Sequence, residues 1–135
     1  STRKESSAAS DVYKRQSQIC RRKKIPVNAV DQKEDCSFIF PSYVKEGEVV
    51  AAFSSGGQSP LITQYLKEKI KPDLNKELGQ LAQILGSLRK LAKSCIVTEQ
   101  ERKAFYKELL QIGLEDIDSL EEQRINEIIQ KYISE

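Results

Sequence analysis

The chain contains no histidine, no methionine and no tryptophan, and only three of its 135 residues are cysteine. Without histidine, the commonest metal ligand and both the Ser-His-Asp and the Cys-His catalytic arrangements are excluded. Cys20, Cys36 and Cys95 are odd in number, lie far apart and form no Cys-x-x-Cys pair, so they predict neither a disulfide framework nor a zinc site. We therefore expect no resident metal and a reducing, cytoplasmic location.

Long apolar runs and a large excess of one charge are also missing. The apolar runs are far shorter than the ~18 residues that a membrane span requires. A net charge of +2 gives no strong attraction to nucleic acid or to a membrane surface, so neither partner is expected. The basic run at residues 21–24 is typical of a solvated helix end, although a nucleic-acid patch is the alternative.

A third absence is the Gly-x-Gly-x-x-Gly turn that binds dinucleotides. Gly56-Gly57 is no substitute, because the spacing differs and no acidic residue closes a following strand. A helix end at residues 17–24 and an apolar run at 25–30 indicate an α/β sheet, whose parallel strands need partners laid down earlier in the chain. We expect this chain to be the C-terminal part of a protein whose first half is missing, and residues 1–16 to be disordered or non-native.

What is present centres on residues 25–60, where three apolar runs each end in polar residues. The runs are residues 25–30, which end at Asp31, residues 37–44, which turn at Lys45-Glu46-Gly47, and residues 48–54, which break at Gly56-Gly57. The second and third runs predict a β-hairpin. The third run is almost entirely apolar, which predicts a strand buried on both faces.

The segment after the third run joins a glycine pair to a predicted helix N-terminus. Ser59 can cap the first free amides of a helix, and Pro60 fits its first position. Glycines that permit positive φ, hydroxyl groups and the positive end of a helix dipole together suit an anionic ligand. The candidate ligand-binding residues are Ser54, Ser55, Gly56, Gly57 and Ser59. The alternative is a tight turn with a capping serine.

From Pro72 onward the pattern predicts helices only. An apolar stripe at spacings of three and four comprises Leu74, Leu78, Leu81, Leu85, Leu88, Ala92 and Cys95. Thr98 with Glu101 predicts a capping box that opens the next helix, which we expect to end at Gly113. Ser119 with Glu122 predicts a second capping box, and the last helix carries Ile125, Ile128, Ile129 and Tyr132. A helical bundle is the predicted arrangement.

Three motifs in this order and spacing resemble the precorrin-2 dehydrogenase module of siroheme synthases. They are PVNAVD at residues 26–31, CSFIFP at 36–41 and SSGGQSP at 54–60. The resemblance implies an α/β fragment with an all-α tail: the last part of a Rossmann-type domain, a β-hairpin dimerisation element and a C-terminal helical bundle. The implied divisions are residues 1–16, 17–44, 45–72 and 73–135, the first being the leader and the third the dimerisation and substrate-loop part.

The resemblance also implies roles for individual residues. Asp31 follows the first apolar run, where a carboxylate is well placed for chemistry at the edge of an α/β sheet, although a turn-forming role is the alternative from position alone. It falls on the acidic residue of the family's Asn-x-x-Asp motif, which implies a catalytic general acid/base. Asn28, in the same motif, is assigned to cofactor binding, with a structural hydrogen bond as the favoured alternative.

The function implied is NAD-dependent oxidation of precorrin-2 to sirohydrochlorin in a homodimer. Fe²⁺ is a possible substrate of a second, ferrochelatase activity. The tetrapyrrole carries many carboxylates, which suits an anion-binding loop at residues 54–59. We expect the chain alone to lack tight NAD binding and to be inactive. The competing interpretation is a non-catalytic helical dimerisation module.

Overall fold

The computed structural model describes residues 2–28 and 38–133. Its helices and strands are α1 (Thr2–Arg22), β1 (Ser42–Glu46), β2 (Val49–Phe53), α2 (Pro60–Ile70), α3 (Lys76–Ser87), α4 (Arg89–Cys95), α5 (Glu99–Glu115), a 3-10 helix (Ile117–Ser119) and α6 (Glu122–Gln130). In the described ranges, no helix is both long and apolar enough to cross a membrane. The described residues up to Tyr43 form one compact unit with Ala52–Glu68, and Val44–Ala51 form a second unit with the chain from Lys69 onward.

The predicted hairpin is present as a two-stranded sheet of β1 and β2. Gly47 and Glu48 connect the strands, and Gly47 has a φ of 59°. A glycine with positive φ at the first central position is the signature of a type II′ turn, whose twist matches that of the flanking strands.

The prediction that the second hairpin strand is buried on both faces is wrong. Half-buried and exposed residues alternate along both strands. Val50 is 53% exposed and Tyr43 is 52% exposed. Only one face of this two-stranded sheet is covered, so every second side chain faces solvent despite its apolar character.

The C-terminal unit has a continuous hydrophobic core contributed by α3 to α6. Its buried members are Leu81, Ala92, Ile96, Phe105, Leu109, Leu120, Ile125, Ile128 and Ile129. The apolar stripe predicted from residue 74 to residue 95 is divided between α3 and α4 by a break at Leu88, which has φ −82° and ψ −6°. Arg102 satisfies the end of α4 by donating hydrogen bonds to the carbonyl oxygens of Ile96 and Val97, at 2.8 and 3.1 Å.

Thr98 and Glu101 form one of the two predicted caps, although the Glu101 carboxylate binds the Thr98 hydroxyl and not its N–H. The Glu101 N–H donates to the Thr98 hydroxyl at 3.2 Å, and that hydroxyl donates to the Glu101 carboxylate at 2.8 Å. The box predicted at Ser119 is wrong, because Ser119 belongs to the 3-10 helix and its hydroxyl donates to Asp116 at 2.9 Å. The N-cap of α6 is Glu121, which makes no side-chain capping bond.

Gly113 does not end α5, contrary to the prediction; the helix continues to Glu115. A Cβ at Gly113 would overlap the Leu81 side chain and would lie 2.9 Å from Leu120 Cδ1. The glycine therefore allows α3 and the segment after α5 to pack closely on the α5 backbone. Gly79 has a comparable role against the hairpin tip, since its Cβ would lie 3.2 Å from the Glu46 carbonyl oxygen.

Residues 2–16 form the first part of α1. The assignment of residues 1–16 as a disordered or non-native leader stays a prediction. Arg21 and Arg22 lie in the last turn of this helix, as the sequence predicts. Of the first apolar run, residues 25–28 have no strand assignment, and the rest lies outside the described residues. The Val27 carbonyl oxygen accepts a backbone hydrogen bond from the Phe38 N–H at 3.4 Å.

Candidate functional site

The segment from Ser54 to Ser59, here called the glycine loop, joins β2 to α2 and is stabilised by its own hydroxyl groups. The Ser55 hydroxyl accepts a hydrogen bond from the Ser59 N–H at 3.0 Å and donates one to the Ser59 carbonyl oxygen at 3.1 Å. Ser54 accepts from the Gly56 N–H at 3.2 Å. These bonds fix the loop in one conformation, as the tight-turn interpretation of the sequence requires.

Both glycines of the loop occupy the left-handed region, with φ 63° at Gly56 and 77° at Gly57. No Cβ contact would block a side chain at Gly56, so backbone conformation is what requires glycine there. Among the described residues the Gly57 N–H has no hydrogen-bond acceptor. The loop therefore keeps one backbone donor available for a ligand.

The helix after the loop begins as the sequence predicts. Ser59 caps α2 by accepting a hydrogen bond from the Ile62 N–H at 3.4 Å, and Pro60 occupies the first helical position. One turn later, Thr63 is 8% exposed and its hydroxyl donates to the Pro60 carbonyl oxygen at 2.8 Å. The first turn of α2 thus presents the positive end of its dipole beside the glycine loop.

A cavity of about 160 Å³ lies against the glycine loop. It is lined by Ile39, Phe40, Ser42, Phe53, Ser54, Ser55, Gly57, Pro60 and Thr63. Pockets that bury a whole drug-sized ligand have volumes of ~300–1,000 Å³, so this cavity is large enough for one side arm of a ligand but not for a whole ligand of that size. The sequence analysis did not identify Thr63 as a site residue. Its position four residues after the capping Ser59 was the available signal, because residues at that spacing lie on one helix face.

Three predicted substrate-binding residues, Ser54, Ser55 and Gly57, line this cavity together. Gly56 and Ser59 belong to the same loop but are not among its lining residues. Asn28, the predicted cofactor residue, donates from its side-chain nitrogen to the Phe38 carbonyl oxygen at 3.1 Å. Asp31, the predicted catalytic residue, lies outside the described residues.

The clearest perturbed titration is in the helical unit, where α5 meets the end of α6. Tyr132 donates to the Glu108 carboxylate at 2.7 Å, and the Lys131 ammonium lies 3.0 Å from the other oxygen. The hydrogen bond from Tyr132 lowers the pKa of Glu108 most, and the hydrogen bond from Lys131 lowers it further. The hydrogen bond between Tyr132 and Glu108 also raises the pKa of Tyr132. Tyr132 also packs edge-on against Phe105. These contacts of Tyr132 and Lys131 with α5 indicate a structural role, and we call them the α5–α6 clasp.

Comparison with known proteins bears first on the fold. A protein-family model described as putative NAD(P)-binding matches residues 7–42. The fold resembles that of SirC, precorrin-2 dehydrogenase, with a TM-score of 0.58 and 24% sequence identity over 81% of this chain and 55% of that chain. The α/β fold class is thereby confirmed, with a two-stranded sheet and six α-helices in the described residues.

Sequence relatives then identify the module. The siroheme synthase of Enterobacter sp. (strain 638) is 32% identical over 127 residues, which are 93% of this chain and 28% of that protein. Siroheme synthase 1 of Yersinia pestis (strain Pestoides F) is 38% identical over 93 residues, which are 69% of this chain and 20% of that protein. Together with the fold, these relatives support a siroheme synthase/precorrin-2 dehydrogenase module and confirm the resemblance predicted from the three motifs.

The alignments cover most of this chain but only a small part of each relative. The chain spans about a quarter of the length of the curated relatives it matches, at 28% and 20% for the two just described. The family match begins at residue 7, earlier than the motif resemblance, which starts near Ser17. Whether residues 1–16 are native stays a prediction.

Proposed function

We propose that the chain is part of an NAD-dependent precorrin-2 dehydrogenase, which oxidises precorrin-2 to sirohydrochlorin in siroheme biosynthesis. The observation that carries the proposal is the alignment with a siroheme synthase over 93% of this chain. The three sequence motifs fall in the part of the chain that contains the glycine loop and its cavity. The complete enzyme, with its cofactor domain, is the proposed catalyst.

The glycine loop is the proposed binding site for substrate carboxylates. The free Gly57 N–H and the N-terminal end of α2 supply positive potential at the cavity, and the serine hydroxyl groups hold the loop in shape. Ser54, Ser55, Gly56, Gly57 and Ser59 are the proposed residues. An acidic arm of the tetrapyrrole fits the size of the cavity, so the ring would lie outside it.

Asp31 is the proposed acid/base. Dehydrogenation removes one proton and one hydride from the substrate, and a carboxylate beside the ring accepts the proton. Asp31 is placed in this role by the Asn-x-x-Asp motif. Insertion of Fe²⁺ by the same carboxylate stays a prediction that no described residue tests.

The described residues of this chain are not proposed as the main dinucleotide site. The sequence lacks Gly-x-Gly-x-x-Gly, and the hydroxyl groups of the glycine loop bond to the loop itself. When bound to the complete protein, NAD supplies the hydride acceptor. We assign the glycine loop to the substrate and retain Asn28 as the candidate cofactor contact, through the side-chain oxygen that its bond to Phe38 leaves available.

A homodimer is proposed because apolar side chains are exposed on two elements. Leu61 and Ile62 of α2 are 78% and 56% exposed. On the hairpin, Tyr43 and Val50 occupy the outward face. Apolar faces of this kind on an otherwise polar chain indicate interaction surfaces, and a second copy is the proposed occupant.

Titration with sirohydrochlorin, followed by absorbance, tests the proposed site in the full chain. We expect saturable binding that weakens at least about tenfold in Ser55→Ala, because the loop loses two of its own hydrogen bonds, and in Asp31→Asn. Ser94→Ala is the control, since Ser94 lies on α4 and its hydroxyl donates to the Leu91 carbonyl oxygen and contacts only the adjacent Cys95 thiol besides.

Equal binding by all four proteins would refute the enzymatic assignment and favour the non-catalytic dimerisation module. Circular dichroism of each variant separates a lost ligand contact from a lost fold. A Ser55→Ala protein with the wild-type melting temperature and weakened binding supports the assigned role directly.

A further inference from the structure

Lys67 differs from the other cationic side chains of the chain in its environment. Among the lysines and arginines whose exposure is described, only Lys67 and Arg102 are half-buried, and all the others are exposed. Arg102 donates to the carbonyl oxygens of Ile96 and Val97. Lys67 has neither an ion pair nor a hydrogen bond to any described residue. Partial burial together with the lack of a partner distinguishes Lys67 from the exposed lysines of the chain.

The position of Lys67 on α2 relates it to the glycine-loop cavity. Lys67 lies four residues after Thr63, which is buried and lines that cavity. Residues four apart share one face of a helix, about 6 Å apart along the axis. Long side chains on a helix point back toward its N-terminus, over the preceding turn. Lys67 is not itself a lining residue of the cavity, but a side chain of its length, one turn after Thr63, can reach the rim of the cavity.

We propose that Lys67 binds a carboxylate of the anionic substrate whose arm enters the glycine-loop cavity. This inference rests on the proposed function, and it adds a specificity-determining residue to that site. The apolar stem of Lys67 covers the helix face, while the ammonium supplies the full positive charge that the glycine loop lacks. The Gly57 N–H and the dipole of α2 provide only partial charges. Lys67 would thus favour substrates according to the number of their carboxylates.

Fluorescence titration of the full chain with uroporphyrin, an octacarboxylate, and coproporphyrin, a tetracarboxylate, tests the proposal. Lys67→Met keeps the stem and removes the charge, whereas Lys67→Arg keeps a cation. We expect Lys67→Met to bind uroporphyrin about tenfold more weakly, as for loss of one charge-assisted hydrogen bond, and to show a shallower dependence on salt. Lys67→Arg should restore most of the affinity.

Lys71→Met is the matched control, because Lys71 is an exposed lysine just beyond the end of α2. Uroporphyrin binding that is weakened in Lys67→Met but unchanged in Lys71→Met supports the proposal. Binding that is lost in Ser55→Ala but equal in the two lysine variants overturns the role of Lys67 and leaves the proposed function intact. Absence of saturable binding by the wild-type chain refutes the loop as a carboxylate site, and the role of Lys67 with it.

Discussion

Substitution of Gly113 by alanine tests the packing of the helical unit. In an exposed helix position, Gly→Ala stabilises by about 1 kcal/mol, because alanine loses less backbone entropy. At Gly113 the new Cβ overlaps Leu81 and lies 2.9 Å from Leu120 Cδ1. Leu81 is 1% exposed and Leu120 is 7% exposed, so neither side chain can move aside without displacing other core groups. Overpacking of this kind costs ~1–3 kcal/mol.

The expected net effect is a loss of about 0–2 kcal/mol in the free energy of unfolding, measured by urea denaturation with circular dichroism. Gly86→Ala is the control, because Gly86 is also helical and its Cβ would meet no atom within 4 Å. That variant should be more stable than wild type by up to ~1 kcal/mol. A Gly113→Ala protein stabilised as much as Gly86→Ala would refute the close-packing interpretation.

The two remaining predictions concern the α5–α6 clasp and self-association. Tyr132→Phe should lower stability by about 1 kcal/mol at neutral pH, whereas Tyr106→Phe should not. Because the folded-state pKa of Glu108 is lowered, the Glu108 carboxylate contributes to the free energy of unfolding above its ordinary pKa of 4.5, and this contribution is lost as the pH falls below that value. The wild type should therefore lose more stability than Tyr132→Phe on acidification, and equal losses would contradict this prediction. In sedimentation velocity, Leu61→Glu should dissociate a homodimer that Lys71→Glu leaves intact, and a monomeric wild type would refute the proposed interface.

The local chemistry of turns and helix starts was predictable from the sequence. Gly47, Ser59 with Pro60 and the Thr98 capping box all lie where short-range rules place them. These features depend on a few neighbouring residues, so a single sequence contains the necessary information. The resemblance of the three motifs also predicted the relatives correctly.

The errors concern features that depend on distant parts of the chain. Burial of β2 on both faces was inferred from its apolar composition, but the covering layer on the second face is not specified locally. Glycine is typical of a helix end, but Gly113 is required for close packing against Leu81, which is 32 residues earlier in the sequence. Ser119 and Glu122 have capping-box spacing, but the Ser119 hydroxyl donates its hydrogen bond to Asp116 and does not cap α6.

Only part of the candidate site was predictable, because some of its residues are related through the fold and not through a local motif. Ser54, Ser55 and Gly57 were identified from a contiguous motif and do line one cavity. Thr63 was not predicted, because its relation to the loop depends on how α2 continues from Ser59. The role of Asp31 stays a prediction.

The outward-facing side chains of the hairpin have a consequence for strand alignment. Val49, Ala51 and Phe53 alternate with Val50 and Ala52, so shifting β2 by one position would exchange one apolar set for another. Hydrophobicity therefore specifies the pairing only weakly, and the geometry of the glycine at position 47 must select it. Any residue that cannot adopt positive φ there would release the hairpin to sample slipped alignments.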